Sequence, residues 1–353
     1  MNPSDSSSTA PTTSQAPPAG DPGVTYEPSR EVVRAELSEP LPDESPPEQA
    51  LPRRRRVRLP LILFVLTCFS TFLAGATDYL PHYALHAIGL WGWPPSAMPL
   101  RQAIYAGWSE GLLYMACVLA ILLTHEMGHF VMTLVYRVRA SLPFFIPFPI
   151  SPIGTMGAVI AMDSRSANRR EIFDIGLAGP IAGLLVALPI MWIGVQNVDL
   201  QPSPGEPTLQ APLVMRLAID YVHPGKYDSS AGFPLTRVNA WFMAGWVGLL
   251  VTGLNMLPVS QLDGGHVTYA LFGRAAHWIA RGFMLLAVVY MGLMYYVYST
   301  PPTYVLMAIL VLVIGTDHPR TSDDTARLGP WRIALGCASL LIPIFCFVPN
   351  LQL

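Results

Sequence analysis

Long apolar stretches, separated by short polar or proline-rich segments, dominate the chain from residue 59 onward. A membrane-spanning helix needs about 20 apolar residues to cross roughly 30 Å of hydrocarbon. The predicted spans are residues 59–77, 110–136, 172–196, 238–257, 280–298, 302–316 and 331–349. The pattern therefore predicts an all-α polytopic membrane protein with about seven transmembrane helices, within a range of six to eight.

The first 52 residues have a different character. They hold nine acidic residues, eleven prolines and many serines and threonines, with almost no aromatic side chains. A segment of this composition cannot bury enough apolar surface to offset the entropy of ordering it. We therefore expect residues 1–52 to form a disordered acidic tail in the cytoplasm, and residues 53–349 to form the membrane-embedded domain.

Composition excludes several classes of protein. Hydrophobic residues make up 52% of the chain and charged residues only 12%, against about 25% charged residues in ordinary soluble domains. The net charge of −2 provides no electrostatic footprint for nucleic acid. The expected surroundings are a lipid bilayer, with no nucleic-acid partner, and the oligomeric state is not predicted.

The arginines predict the orientation of the spans, because cytoplasmic loops carry an excess of basic residues. With the cluster at residues 53–58 placed inside, the cytoplasmic segments hold fifteen basic residues and the external segments hold four. This asymmetry predicts a multi-pass protein with a cytoplasmic N-terminus. The membrane is expected to be a bacterial inner (plasma) membrane. The polar, proline-rich loop at about 197–237 then lies outside, without an assigned role.

The second predicted span contains the motif His125-Glu126-Met127-Gly128-His129. Residues four apart on a helix lie about 40° and about 6 Å apart, so both imidazoles can bind one tetrahedral zinc ion. Glu126 then lies close enough to act on a zinc-bound water. Two histidines and a glutamate are costly inside an apolar span and usually functional. The alternatives are a polar cluster between helices and a bound cation without chemistry.

A catalytic zinc ion typically has three protein ligands, and two histidines leave one position to fill. Asp263 follows an apolar span and precedes two glycines that let the backbone bend closely around a site. His266 is the rival ligand. An aspartate at the end of a span can also be a solvated helix cap.

These residues resemble the site-2 protease class of intramembrane zinc metalloproteases, peptidase family M50. The resemblance covers roughly residues 59–349 and is closest to the bacterial and chloroplast branch called ethylene-dependent gravitropism-deficient and yellow-green. It is carried by two motifs: His125-Glu126-x-x-His129 and Asn255-x-x-Pro258-x-x-x-Leu262-Asp263-Gly264.

The resemblance implies one Zn²⁺ per chain, held by His125, His129 and Asp263 rather than by His266. Glu126 is then the catalytic base, and Asn255 lies near the site. Asn255 is our candidate for holding the substrate backbone or the oxyanion; capping a helix end is its alternative role. The implied substrates are single-span or other transmembrane proteins.

Residues 142–163 are apolar but contain too many prolines and glycines for a continuous helix. Non-helical backbone at membrane depth is tolerated where it is buried in protein or lines a wet cavity. We expect a re-entrant hairpin beside the active site, which in the relatives is thought to receive substrate as an added strand. The alternative is a cytoplasmic loop lying on the headgroups.

The predicted function is hydrolysis of peptide bonds in or near transmembrane segments. The main alternative is a non-proteolytic membrane cation-binding or scaffold protein with a vestigial zinc site. Ion binding alone does not need a general base beside the histidines, so the presence of Glu126 argues against it. A membrane peptidase of the prenyl-protein processing class is a second alternative, but that class uses a later glutamate as third ligand.

Overall fold

The structure is a computed structural model that describes residues 57–80, 83, 98–201, 208–226, 232–259, 261–298 and 321–348. The predicted tail at 1–52 and the predicted span at 302–316 lie outside these residues.

The described chain is mostly helical. Its α-helices are α1 (Arg58–Ala76), α2 (Leu100–Val135), α3 (Arg169–Gln196), α4 (Leu213–Val222), α5 (Ala240–Asn255), α6 (Asp263–Phe272), α7 (Ala276–Tyr298), α8 (Pro330–Ser339) and α9 (Ile342–Cys346). Its strands are β1 (Phe144–Phe148), β2 (Gly154–Val159), β3 (Thr208–Leu209) and β4 (Phe233–Pro234).

Four helical stretches among the described residues are long and apolar enough to cross a membrane. They are Arg58–Ala76, Leu100–Val135, Arg169–Gln196 and Asp263–Val297, the last of which joins α6 and α7. Helix α5, at 16 residues, is a shorter apolar helix. A polytopic membrane protein is consistent with this architecture, and the count of seven spans stays a prediction.

Two predicted spans have different limits in the structure. Helix α2 begins ten residues earlier than predicted and has 36 residues, a length of about 54 Å, so it extends beyond a hydrocarbon layer of roughly 30 Å. The predicted span at 331–349 corresponds to the shorter apolar stretch Pro330–Cys346, which consists of two consecutive helices, α8 and α9. Pro343 lies in the first turn of α9, where it cannot donate the backbone hydrogen bond that would continue α8.

The prediction of an all-α protein with a hairpin needs one correction, in the loop at 197–237. The expected hairpin is present as the antiparallel pair β1–β2, with Phe144 opposite Val159 and Phe148 opposite Gly154. The loop at 197–237 contains helix α4 and a second antiparallel pair, β3–β4. Trp246 of α5 donates an indole hydrogen bond of 2.7 Å to the Gln210 carbonyl, which anchors that loop to the helical core.

Helix α3 packs against both α2 and α5, and α1 packs against α2 and the hairpin. Two polar side chains hold the hairpin in place. The Tyr114 hydroxyl of α2 donates to the Ile153 carbonyl at 2.8 Å, and the Ser70 hydroxyl of α1 donates to the Gly154 carbonyl at 2.6 Å. The hairpin is therefore fixed to the helices rather than hanging as a free loop.

Candidate metal centre

Three side chains from two helices converge on one point. His125 and His129 lie on α2, and their Nε2 atoms are 3.2 Å apart. Asp263, the first residue of α6, places Oδ2 3.1 Å from His125 Nε2 and Oδ1 3.2 Å from His129 Nε2. Among the described residues, these three form the group whose ligand atoms all lie within 4.8 Å of one another. The predicted ligands are brought together.

The backbone of α3 orients the second histidine. His129 Nδ1 lies 2.8 Å from the Ile175 carbonyl oxygen, so Nδ1 carries the proton and donates it. The lone pair is then on Nε2, the atom that faces His125 and Asp263. A metal-binding histidine usually donates its other ring N–H in this way, which fixes the tautomer and the ring orientation.

Glycines on α3 make room for both imidazole rings. A Cβ atom built on Gly179 would lie 2.1 Å from Nε2 of His129, and one built on Gly183 would lie 3.0 Å from Nδ1 of His125. A Cβ atom at position 179 would therefore displace the His129 ring from its place in the site. The groups packed against this part of α3 are the candidate ligands themselves.

A tight turn between α5 and α6 brings Asp263 to the histidines. A Cβ atom on Gly264 would lie 2.1 Å from the Met256 carbonyl oxygen, so the backbone there approaches as closely as the sequence suggested. Asp263 starts α6, where the helix dipole favours a negative charge. His266, the rival ligand, lines the same cavity but does not belong to the group of converging donors.

Glu126 and Asn255 also reach the site. Glu126 is 4% exposed and lines the cavity next to the three donors. Asn255 is the last residue of α5, and its Nδ2 lies 3.3 Å from His125 Nε2. The Asn255 side chain therefore points into the site.

The site opens into a cavity of about 440 Å³. Residues 156–160 of the hairpin form one wall, with Val251 and Asn255 of α5 and residues 261–263 on other sides. Within the described chain, β1 is the partner of β2 in a two-stranded sheet. Strand β2 therefore lies beside the three metal donors and Glu126.

The donor set fits a zinc ion. Two neutral imidazoles and one carboxylate are ligands of catalytic zinc sites, which keep a further position for water or substrate. The His125 and His129 side chains are 3% and 12% exposed, and that of Asp263 is 13% exposed, so the site is shielded but reachable. The predicted cofactor, Zn²⁺, is compatible with these residues.

The sequence model of peptidase family M50 matches residues 113–298, more than half of the chain and all of the residues at this site. The chain belongs to peptidase family M50. Proteases of this family are membrane proteins, which agrees with the apolar helices. The predicted metalloprotease class is thereby confirmed at the level of the family.

Two curated relatives of this M50 chain are similar over most of its length. The probable zinc metalloprotease EGY1, chloroplastic, of Oryza sativa subsp. japonica is 28% identical over 338 residues, covering 94% of this chain and 55% of the relative. Its Arabidopsis thaliana counterpart is 28% identical over 294 residues, covering 82% and 52%. The chain thus spans about half the length of these relatives.

Two features of this M50 site were missed by sequence reasoning. The Ile175 carbonyl is a backbone group, so the identity of residue 175 does not indicate that this carbonyl accepts a hydrogen bond from His129. The close approach of the His129 ring to Gly179 is the second feature. The only available signal was the run of small residues at 178–183, which indicates close approach but not what approaches.

Proposed function

We propose that this chain is an intramembrane zinc metalloprotease that hydrolyses peptide bonds in or near transmembrane segments of membrane proteins. The observation that carries the proposal is the shared cavity. Three metal donors, a buried glutamate and an amide side chain meet there beside residues 156–160 of the hairpin. Zinc is also part of the names of the relatives EGY1 in rice and Arabidopsis.

Each polar side chain has a distinct proposed role. When bound by His125, His129 and Asp263, zinc supplies a Lewis acid that polarises the scissile carbonyl and activates water. Glu126 takes a proton from the attacking water and then delivers it to the leaving amine. Its burial supports this role, because a buried base keeps bulk water away from the proton that it carries.

Asn255 is the proposed donor to the substrate. Its amide lies at the metal site, and a neutral N–H donor can stabilise negative charge that develops on the carbonyl oxygen. It can also hold the substrate backbone. Either role requires the side chain to face the cavity.

The hairpin supports a proposal for how substrate is held. An extended peptide can add to the free edge of a strand through main-chain hydrogen bonds, and residues 156–160 line the cavity. A transmembrane helix must unwind before its peptide bonds become accessible, and the added-strand geometry holds it in the unwound form. We therefore propose single-span or other transmembrane proteins as substrates.

The location proposed is a bacterial inner membrane, with the N-terminus and the arginine-rich segments in the cytoplasm. Its support is the arginine asymmetry; the curated relatives EGY1 are chloroplastic. In a background without the four native cysteines, a cysteine at Ser166 should react with a membrane-impermeant reagent from the cytoplasmic side, and one at Lys226 from the other side. The reverse labelling would overturn this orientation.

The decisive experiment separates metal binding from chemistry. We expect Glu126→Gln to keep about one zinc per chain while turnover of a reconstituted single-span substrate falls by about 10²–10⁴-fold, the usual contribution of general acid–base catalysis. His129→Ala and Asp263→Ala should lose zinc and turnover together. Asn255→Ala should keep zinc and lose about 10²–10³-fold, the typical cost of one oxyanion donor.

Glu110→Gln is the matched control. It is the same change on the same helix, 16 residues or about 24 Å from Glu126. Its carboxylate accepts a hydrogen bond from the Ala240 backbone at 3.0 Å, which a glutamine oxygen can also accept. Wild-type turnover by Glu126→Gln would refute the role of Glu126 as the base, and a zinc-loaded wild-type protein that cleaves no substrate would favour a cation-binding protein. Loss of zinc from His266→Ala but not Asp263→Ala would move the third ligand.

A further inference from the structure

A polar segment at residues 321–332 joins α3, whose Ile175 carbonyl orients His129, to α6, which begins with Asp263. It includes the start of α8 and lies beyond residue 298, where the match to the family ends. We propose that this segment, which we name the brace, positions the ligands His129 and Asp263 by holding α3 and α6 together. The inference rests on the proposed metalloprotease function.

The first attachment of the brace is to the start of α3. The Ser322 backbone N–H donates to the Ala167 carbonyl at 2.9 Å, and the Arg169 backbone N–H donates to the Asp323 carbonyl at 3.1 Å. Leu328 is 6% exposed and belongs to an apolar cluster with side chains of α3 and α6. The brace therefore pairs with α3 through its backbone and fills the gap between the two helices with an apolar side chain.

The second attachment is to α6, the helix that begins with Asp263. The Tyr269 hydroxyl lies 3.0 and 3.1 Å from the two carboxylate oxygens of Asp324. Arg169 adds a direct link between the helices, because its guanidinium donates to the Ala270 and Leu271 carbonyls at 2.5 and 3.0 Å. The end of α6 is thus tied to the start of α3 both directly and through the brace.

The third attachment reaches the turn of α3 that orients His129. Arg332 binds Asp174 with two parallel hydrogen bonds of 2.8 and 2.9 Å, and the Tyr136 hydroxyl donates to the same carboxylate at 2.6 Å. Asp174 directly precedes Ile175, whose carbonyl accepts the His129 N–H.

Two contacts between α2 and α3 therefore act as a pair. His129 is hydrogen-bonded to the Ile175 carbonyl. Tyr136 follows seven residues or about two helical turns later and is hydrogen-bonded to Asp174. Arg332, which lies on α8, supplies the positive charge that balances the Asp174 carboxylate in the second contact. We assign Asp174 and Arg332 as positioning residues: they touch neither metal nor substrate, and they hold the helix that orients a ligand.

The physical consequence of losing Arg332 follows from the burial of the pair. The side chains of Arg332 and Asp174 are 33% and 15% exposed, so removing the guanidinium leaves a largely buried carboxylate without its counter-ion. We expect that carboxylate to rotate toward water and to displace the helical turn of α3 that carries it. Partners that orient metal ligands typically contribute about 10–100-fold to metal affinity, and we expect an effect of that size.

The test uses the full chain in detergent or nanodiscs, loaded with Co²⁺ in place of zinc. The visible spectrum of Co²⁺ reports the geometry of its ligands, and transfer to a chelator reports the rate of metal release. We expect Arg332→Gln to release metal about 10–100-fold faster and to change the visible bands. Arg332→Lys, which keeps the charge but not the paired hydrogen bonds, should recover part of the loss, and Tyr136→Phe should have the smallest effect.

Arg237→Gln is the matched control. Arg237 binds Asp199 at 2.7 Å, and hydrogen bonds from the Gln201 backbone and from Arg237 lower the pKa of Asp199, so that pair is charged at neutral pH. The control should release Co²⁺ like the wild type. If Arg332→Gln is too unstable to purify, Arg332→Lys decides, because it changes a residue of the brace, keeps the positive charge and removes the paired hydrogen bonds.

The outcomes separate the two proposals. A wild-type protein that binds no Co²⁺ would refute the metalloprotease function and the brace with it. A wild-type protein that binds Co²⁺, with brace variants that match the Arg237→Gln control in spectrum and release rate, would refute the brace alone.

Discussion

Helices α3 and α7 are both long and apolar, yet they relate to the rest of the protein in opposite ways. Helix α3 has 28 residues and α7 has 23, and each belongs to a stretch able to cross a membrane. In α3, 44% of the most apolar window is buried inside the protein, against 11% in the stretch that contains α7. Length and hydropathy alone therefore do not reveal which helix supports the site.

The glycines of the two helices explain the difference. Cβ atoms built on Gly179 and Gly183 of α3 would meet the two histidine ligands, whereas those built on Gly282 and Gly292 of α7 would meet no described atom within 4 Å. In α3, glycine lets another helix bring its imidazoles against the backbone. In α7 the same residue borders open space, so its exposed apolar side chains are suited to lipid.

The largest expected effect is that of Gly179→Ala. Its new methyl group would lie where His129 Nε2 now lies, so the ring must leave its position. Overpacking typically costs about 1–3 kcal/mol and occasionally more, and here the strain falls on a ligand. We expect loss of bound metal and of cleavage, measured as metal per purified chain and as turnover. Metal content near that of the wild type would contradict the close approach.

A charge on α7 should have the next largest effect. Leu286 is 66% exposed near the middle of the helix, where a lysine in hydrocarbon costs about 2.5–3.5 kcal/mol. Leu286→Lys should therefore reduce the fraction of chains that integrate into membranes, measured by alkaline extraction, while Leu286→Ala should integrate normally. Normal integration of the lysine variant would show that this face of α7 does not meet lipid.

Gly183→Ala should weaken the metal site without destroying it. Its methyl group would lie 3.0 Å from His125 Nδ1 and 3.2 Å from His125 Cβ, so the ring needs to move by only a few tenths of an ångström. We expect a cost at the lower end of the overpacking range, about 1 kcal/mol, measured as a modestly faster release of metal. An effect as large as that of Gly179→Ala would mean that α3 cannot shift at all.

Gly292→Ala should have the smallest effect, and in the favourable direction. Replacing a helical glycine by alanine stabilises a helix by up to about 1 kcal/mol when nothing is displaced. Thermal unfolding in detergent should occur at an equal or slightly higher temperature, with metal content unchanged. A destabilised variant would indicate that part of the chain outside the described residues packs against α7.

Local sequence was sufficient to predict that His125 and His129 act on one metal ion. The four-residue spacing of His125 and His129 places both rings on one face of any α-helix, and polar groups of this kind are retained in apolar spans for function. Prolines and glycines between 142 and 163 ruled out a helix and predicted the hairpin.

Local sequence was not sufficient where contacts between distant segments decide the structure. The loop at 197–237 was interpreted only as polar, although Gln210 is bound by Trp246 and short strands pair within the loop. The predicted last span is interrupted near residue 341. The hydropathy pattern did not reveal this interruption, because it does not take into account that Pro343 lacks a backbone N–H.

The sequence by itself determined the membrane character of the chain, the helix that presents His125 and His129, and the candidates Asp263 and His266 for a third ligand. The spacing of residues along one helix is a local property. The length of an apolar segment is also local, because it can be counted from consecutive residues. The tertiary structure decided that Asp263 rather than His266 meets the histidines, that the Ile175 carbonyl sets the tautomer of His129, and that α3 rather than α7 lies against the site. These outcomes depend on how closely separate backbones approach, which glycines permit but which only the packing of the whole domain selects.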